Sequence, residues 1–157
     1  MSWTNADGLT VLMHEEQGTV QTTGLHAGTT RKTLVVDLED ATTLGTSYST
    51  AAGPNDAFIP SGAIITKAWF VVDTAFTSGG SATLSIGLYQ QDGTVIDADG
   101  LDATVAVATL VADAVVDGDG ADVGTRVGAN DAYVAFIYGT AAFTAGAGKL
   151  ILEYIEV

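Results

Sequence analysis

Two groups of aspartates are the residues of this chain whose type and spacing come closest to a chemical site. The groups are Asp97, Asp99 and Asp102, and Asp117, Asp119 and Asp122. Calcium takes six to eight oxygen ligands, and an EF-hand loop needs acids at alternate positions, a central glycine and a terminal glutamate. Neither group has that glutamate. We therefore expect solvated turn aspartates and no metal site, while a surface calcium site of another type stays open.

Nucleophilic and acid–base catalysis have little support in the sequence. The chain has no cysteine, and its two histidines are His14 and His26. His14 precedes Glu15 and Glu16 and could form part of an acid–base pair. However, no serine lies in a Gly-x-Ser-x-Gly elbow and no His-x-x-x-His spacing occurs. We predict that the protein is not an enzyme and uses no cofactor.

Two aromatic residues could instead bind sugar by stacking. If Trp69 and Tyr89 share the polar face of neighbouring strands, their rings would form a platform for a saccharide. The preferred interpretation is that Trp69 packs against a second sheet, a loop or another subunit. The two interpretations differ in whether both rings are exposed on one face.

Composition limits the partners. The 157 residues include 19 acids and five lysines or arginines, which gives a net charge of −14. Such a surface repels nucleic acid and anionic membranes, so neither is an expected partner. One explanation for the acidic charge is solubility, and a second is adaptation to a saline habitat. We expect no signal peptide, because the first residues lack a basic region and an apolar core. We expect no transmembrane helix, because no apolar run reaches the roughly 18 residues required.

An internal repeat predicts the architecture. The segment Ala75-Phe76-Thr77-Ser78-Gly79 returns later as Ala142-Phe143-Thr144-Ala145-Gly146, and each copy follows an apolar run. We interpret each copy as a strand, a turn and a strand, which makes two hairpins centred on the last two residues of each segment. Phe76 and Phe143 should occupy matching buried positions. Repeated hairpins indicate an all-β fold, an antiparallel β-sandwich.

Alternation of apolar and polar residues predicts the strands. In the strand 64–73, Ile64, Ala68, Phe70 and Val72 form the core face, and the strand 82–89 should likewise have one wet face. The stretch 101–116 is ambiguous between strand and helix, and strand is favoured. The remaining predicted strands are 32–38, 133–138 and 150–157. Turns are predicted at 59–63, 90–93 and 97–100, and loops at 41–57 and 117–124.

The first 30 residues differ from the rest. They hold few apolar residues, several glycines and one expected short strand, 9–13. Segments of this kind gain order by packing on a neighbour. We predict an extended N-terminal arm at 1–30 and a β-sandwich domain at 31–157. The candidate partner contacts are Trp3, Leu9, Leu12, His14 and His26 in the arm, and Trp69 in the sandwich.

Several motifs resemble those of small structural proteins of tailed bacteriophages. They are Trp3-Thr4-Asn5-Ala6-Asp7-Gly8-Leu9, the stretches 59–65 and 74–87, and the stretch 139–146 with the final strand. Residues 101–132 match no motif of these proteins. The resemblance implies a virion protein, a capsid decoration (cement) protein of β-sandwich or jelly-roll type. No catalytic residue carries over.

The resulting hypothesis is a non-enzymatic structural protein that is made in the host cytoplasm and sits on the capsid exterior, where it stabilises the viral shell. Its partners would be the major capsid protein and copies of itself, with a homotrimer preferred. The alternative is a carbohydrate- or receptor-binding module of a tail fibre or spike, which would need an exposed aromatic row that includes Trp69 and Tyr89. A hydrolase is the third and least favoured class.

Overall fold

The computed structural model describes residues 2–4, 10–12, 31–47 and 58–156, and it divides the chain into two units, 1–30 and 31–157. In the first unit, β1 (Ser2–Thr4) and β2 (Thr10–Leu12) form an antiparallel pair in which Trp3 lies opposite Val11. Strand β2 lies within the predicted strand 9–13, and β1 was not predicted. For the first unit the structure describes the backbone of these two strands only, and all side-chain contacts given below belong to the second unit.

Eight strands build the second unit. They are β3 (Arg31–Leu38), β4 (Phe58–Ile59), β5 (Ile64–Ser78), β6 (Thr83–Tyr89), β7 (Val95–Ala106), β8 (Val115–Asp117), β9 (Ala132–Gly139) and β10 (Phe143–Ile155). Two short 3₁₀ turns, Ala41–Thr43 and Val107–Thr109, are the helical elements of the described residues. The unit is thus almost entirely β structure, as predicted.

The strands form two antiparallel sheets with a nested order. One sheet runs β3-β10-β5-β8 and the other runs β4-β9-β6-β7. In chain order, the first strand of the unit therefore pairs with the eighth, the second with the seventh, the third with the sixth and the fourth with the fifth. This nesting is the topology of a jelly roll. The prediction of a jelly-roll-like antiparallel sandwich is confirmed.

The core lies between the two sheets because the strands alternate. On β3, Val36 and Leu38 are buried whereas Val35 and Asp37 are exposed. Across the sandwich, the ring of Phe70 on β5 lies 5.8 Å from that of Phe136 on β9. Period-two burial of this kind is what the sequence pattern predicted for the first sheet.

A bulge near the start of β5 corrects one predicted core residue. Lys67 pairs with Glu153, but the next pair joins Ile65 to Tyr154, so Thr66 is an extra residue. The extra residue reverses the alternation, and Ile65 is buried in place of Ile64. The hydroxyl of Thr66 donates to the carbonyl oxygen of Glu153 at 3.1 Å.

The repeat is real, but the prediction of two hairpins is wrong. Strands β5 and β6 belong to different sheets, as do β9 and β10, so both connections are corners between the sheets. The second copy lies in β10 from Phe143 onward and the first lies in β5 up to Ser78, so neither copy forms a turn between two paired strands. The two copies lie side by side on β5 and β10, with Phe143 opposite Ser78. A segment cannot reveal which strand it will pair with, and here each copy pairs with the other.

The contacts between the copies are specific. As predicted, Phe76 and Phe143 are both buried, and their rings meet edge to face with centroids 5.1 Å apart. The hydroxyls of Thr77 and Thr144 lie 2.8 Å apart. Gly146 has a φ of +143°, and a Cβ there would come within 2.5 Å of the Phe76 ring. Glycine is therefore required at this position of β10 by both conformation and space.

The second sheet departs further from prediction. The expected turn at 97–100 lies inside β7, and the favoured strand 101–116 continues only to Ala106 before a 3₁₀ turn and β8. Asp97 pairs with Leu88 and Asp102 pairs with Ile86. Between these two pairs β7 advances by five residues and β6 by only two, so β7 has a large bulge. The bulge folds over the outer face of β6, where a Cβ on Gly87 would overlap the carbonyl of Ala98. Both faces of β6 are consequently buried.

Candidate interaction surface

The outer face of the β3-β10-β5-β8 sheet carries a row of apolar side chains. Register places Val35, Ile151 and Trp69 side by side on three adjacent strands, and Asp117 of β8 ends the row. In the next row Val71 pairs with Val115. Val35 is 49% exposed and Val115 is 61% exposed. We call this outer face the Trp69 face.

Charged side chains frame the apolar row in compensating pairs. Lys149 Nζ lies 3.1 Å from Asp73 Oδ2, and Arg31 Nη1 lies 3.1 Å from Glu153 Oε2. The ammonium of Lys67 lies 5.2 Å from the centroid of the Trp69 ring, a cation–π distance. These contacts orient Trp69 and keep its surroundings nearly neutral.

The Trp69 face is far less acidic than the chain as a whole. Three cations and four acids lie on it, whereas the whole chain has five cations and 19 acids. The charged residues are Arg31, Lys67, Lys149, Asp37, Asp73, Asp117 and Glu153. A nearly neutral, partly apolar sheet face on a strongly acidic protein is the surface that another protein can approach with least repulsion.

Of the other predicted contact residues, Trp3 and Leu12 lie on β1 and β2 of the first unit. Leu9, His14 and His26 lie outside the described residues. Their proposed contacts with a partner stay predictions.

The predicted sugar platform of Trp69 and Tyr89 is wrong. Trp69 belongs to the β3-β10-β5-β8 sheet and Tyr89 to the opposite sheet. Tyr89 is only 1% exposed, and its burial raises the pKa of its hydroxyl, to which the charges of Asp97 and Asp99 add. The platform prediction failed because the bulge of β7 covers a face that the sequence pattern marks as wet.

The two aspartate groups, separate in sequence, meet in space. The loop after β8 crosses the bulge of β7, where Asp122 N donates to Gly100 O at 2.8 Å and Gly120 N donates to Leu101 O at 3.1 Å. A Cβ on Gly100 would overlap the carboxylate of Asp122. Sequence reasoning missed this meeting, although the glycines of both segments were a signal of close backbone approach.

The electrostatics of this aspartate cluster are unfavourable. Asp102 is 4% exposed, and its burial raises the pKa to about 6, with the charge of Asp119 adding to the rise. Burial also raises the pKa of Asp122, and the charge of Asp97 contributes. Within the described ranges, no three acidic or histidine side chains have the spacing of a metal site. The expectation of exposed turn aspartates is therefore wrong for Asp102.

Among the residues that the structure describes, no helix has the length and apolar character needed to cross a membrane.

Comparisons with solved structures find the same fold in two phage particles. One match is to a chain of a cyanophage Pam1 capsid asymmetric unit, with 14% identity and a TM-score of 0.56, over 88% of this chain and 93% of that chain. Another is to a chain of the capsid of Ralstonia phage GP4, with 20% identity and a TM-score of 0.52, over 90% and 94%. No family model and no curated protein matches the sequence. The resemblance to phage structural proteins is thus confirmed at the level of the fold.

Proposed function

We propose that this chain is a non-enzymatic capsid decoration protein, bound to the outside of a tailed-phage shell and stabilising it. The observation that carries the proposal is a jelly roll shared over about nine-tenths of the chain with chains from two phage capsid structures. Fold alone does not determine function. The surface of this protein supplies the second argument.

The Trp69 face is the proposed docking surface for the major capsid protein. Interface cores are depleted of charge and enriched in aromatic residues, and a central tryptophan often dominates binding. Trp69 is flanked by Ile151 and Val71 on a rigid sheet, so little conformational entropy would be lost on binding. The remaining, strongly acidic surface would point to solvent and keep particles apart.

Residues 1–30 are the proposed second contact, an arm that reaches neighbouring subunits. The support is their low apolar content and their division from the sandwich as a separate unit. With a symmetric assembly of three copies, each arm would bind an adjacent copy or capsid subunit. The expected candidates for that contact are Trp3, Leu9, Leu12, His14 and His26.

Stabilisation follows from mass action. A ligand that binds the assembled shell, but not its dissociated subunits, shifts the equilibrium toward the shell by an amount that grows with ligand concentration. Particles that lack this protein should therefore release their DNA at lower temperature than wild-type particles. Adding the purified protein back should restore the wild-type release temperature.

The test uses particles made without the protein and four purified proteins, namely wild type and three variants. Wild type should co-sediment with these particles, and Trp69→Glu should bind at least tenfold more weakly because it places an acid among apolar side chains. Deletion of residues 2–28 should leave a folded sandwich that no longer binds. Val95→Glu, at an exposed position of the other sheet, is the matched control. Full binding by Trp69→Glu would refute the proposed docking face.

The receptor-binding alternative predicts a different phenotype. Particles without the protein would be as heat-resistant as wild type but would fail to attach to cells. That outcome would replace the decoration proposal.

A further inference from the structure

The outer face of the β4-β9-β6-β7 sheet carries an aromatic row of its own. Register places Phe58, Tyr133 and Tyr89 side by side on β4, β9 and β6. The rings of Phe58 and Tyr133 are 5.8 Å apart and tilted by 34°. Tyr89 is buried at the inner end, whereas Phe58 is 40% exposed. The open end of the row therefore presents aromatic surface to solvent.

A pocket of about 450 Å³ lies beside the middle of this row, at Tyr133. Its described lining residues come from the β6–β7 turn and from the loop that enters β9. They are Gln90, Gln91, Asp92, Asn130, Asp131 and Tyr133. Apart from Tyr133, every one carries an amide or a carboxylate, so planar polar groups surround one aromatic ring. The volume falls within the range of small-ligand sites.

The polar walls are held in place by hydrogen bonds. Asp92 Oδ1 accepts from Thr94 N at 2.9 Å, and Asp131 Oδ1 accepts from Ser61 N at 2.9 Å. The backbone hydrogen bond from Thr94 lowers the pKa of Asp92, so that this carboxyl is ionised at neutral pH. Both carboxylates thus have fixed orientations before any ligand arrives, which reduces the entropic cost of binding.

The chemistry of this pocket matches a polyhydroxylated, uncharged ligand. Amide groups both donate and accept hydrogen bonds, as sugar hydroxyls do, and carboxylates accept from hydroxyls. The half-buried ring of Tyr133 offers an aromatic surface for the apolar C–H face of a sugar. Two carboxylates on a chain of net charge −14 repel anions, which disfavours phosphates, nucleotides and acidic sugars. We propose that this pocket binds neutral oligosaccharides.

This inference does not depend on the decoration function. The saccharide pocket and the Trp69 face lie on opposite sheets, so a variant can lose one activity and keep the other. A single shallow pocket binds sugar weakly, and multivalent display on a particle would raise the avidity by orders of magnitude.

The test displays the full chain on fluorescent beads and incubates them with an array of neutral hexose and N-acetylhexosamine oligosaccharides and their sialylated and sulfated counterparts. Retention on neutral glycans is expected. No retention on neutral glycans, or retention confined to acidic glycans, would overturn the proposal.

Variants then locate the binding. Gln91→Ala combined with Asn130→Ala changes two exposed side chains of the pocket and should reduce retention at least tenfold without changing the melting temperature. Asp92→Asn keeps an oxygen to accept from Thr94 N but removes the charge, so it should admit acidic glycans. Asp37→Asn, the same charge change on the Trp69 face, should leave the glycan profile unchanged. Unaltered retention by the double variant would assign the binding elsewhere and refute the pocket.

Discussion

The two outer faces of the sandwich behave differently although each belongs to a four-stranded antiparallel sheet. On the Trp69 face, β5 alternates regularly from Lys67 to Asp73 and exposes the apolar row between compensating ion pairs. The opposite face is partly covered, because the bulge of β7 and the loop after β8 fold across it and bury Tyr89 and Asp102. The first is a surface open to a partner protein. On the second, the chain itself buries an acid, Asp102, while Phe58 and Val95 stay exposed.

Phe70 and Trp69 are neighbours on β5, and their variants test most sharply which side of this strand faces the core. Phe70 contacts Phe76 and Phe136, whose rings lie 5.9 Å and 5.8 Å away. Phe70→Ala should lower the free energy of unfolding by about 3–5 kcal/mol. Trp69→Ala, one residue away, should cost clearly less stability and instead weaken capsid binding. Denaturant unfolding of both variants measures the difference, and equal losses would contradict the assignment of the two faces.

Because β7 covers the outer face of β6, a side chain at Gly87 should strongly destabilise the protein. Gly87→Ala should destabilise by up to about 3 kcal/mol, since its Cβ would overlap the Ala98 backbone, which cannot move aside as a flexible side chain would. Gly79→Ala is the control, because a Cβ at Gly79 meets nothing within 4 Å. Thermal unfolding should separate the two variants by several degrees. If Gly87→Ala is as stable as Gly79→Ala, the bulge does not cover β6.

The buried Asp102 predicts a pH dependence of the opposite sign to that of a salt-bridged acid. Its pKa is raised to about 6, so the folded state binds the proton more tightly than the unfolded state does. The stability contributed by this proton is full below about pH 4 and is lost as pH rises through about 6.

Asp102→Asn mimics the protonated form and removes this contribution to the pH dependence. Relative to wild type it should therefore gain up to about 3 kcal/mol of stability between pH 4 and pH 7, since about two pH units separate the folded and unfolded pKa values. The difference between the two unfolding curves from pH 4 to pH 7 isolates Asp102 from the other acids. A difference that stays constant with pH would show that Asp102 titrates normally.

Calcium should have the smallest effect, close to zero. The aspartate cluster lacks three acidic side chains at metal-binding spacing within the described residues. Melting in calcium and in a chelator should agree at fixed ionic strength, with magnesium at the same concentration as the control for screening. A stabilisation of several degrees that is specific to calcium would show that the cluster completes its ligands with backbone oxygens.

The same contrast explains what the sequence could predict. Alternation placed Ala68, Phe70 and Val72 in the core correctly, because local period and burial agree wherever one face meets solvent. It failed at Ile64, where one bulged residue reverses the alternation, and at Tyr89, where the bulge of the following strand supplies the cover.

Long-range pairing was the other limit. The segments that hold Phe76 and Phe143 were identified from their similarity to each other. Neither segment contains a signal that the two pair side by side on β5 and β10. Similarly, the two aspartate groups meet only because β7 and the loop after β8 cross at Gly100 and Gly120. Trp69 was identified as a contact candidate from its place on a polar strand face, and register then supplied its neighbours Val35 and Ile151.

The central claim, that this protein decorates a capsid, is tested most directly by counting its copies in purified particles. Quantitative mass spectrometry can measure the ratio of this chain to the major capsid protein. Decoration of the shell predicts hundreds of copies per particle, in a fixed ratio to the capsid subunits. A few copies, or a few dozen, would place the protein in the tail and contradict the claim.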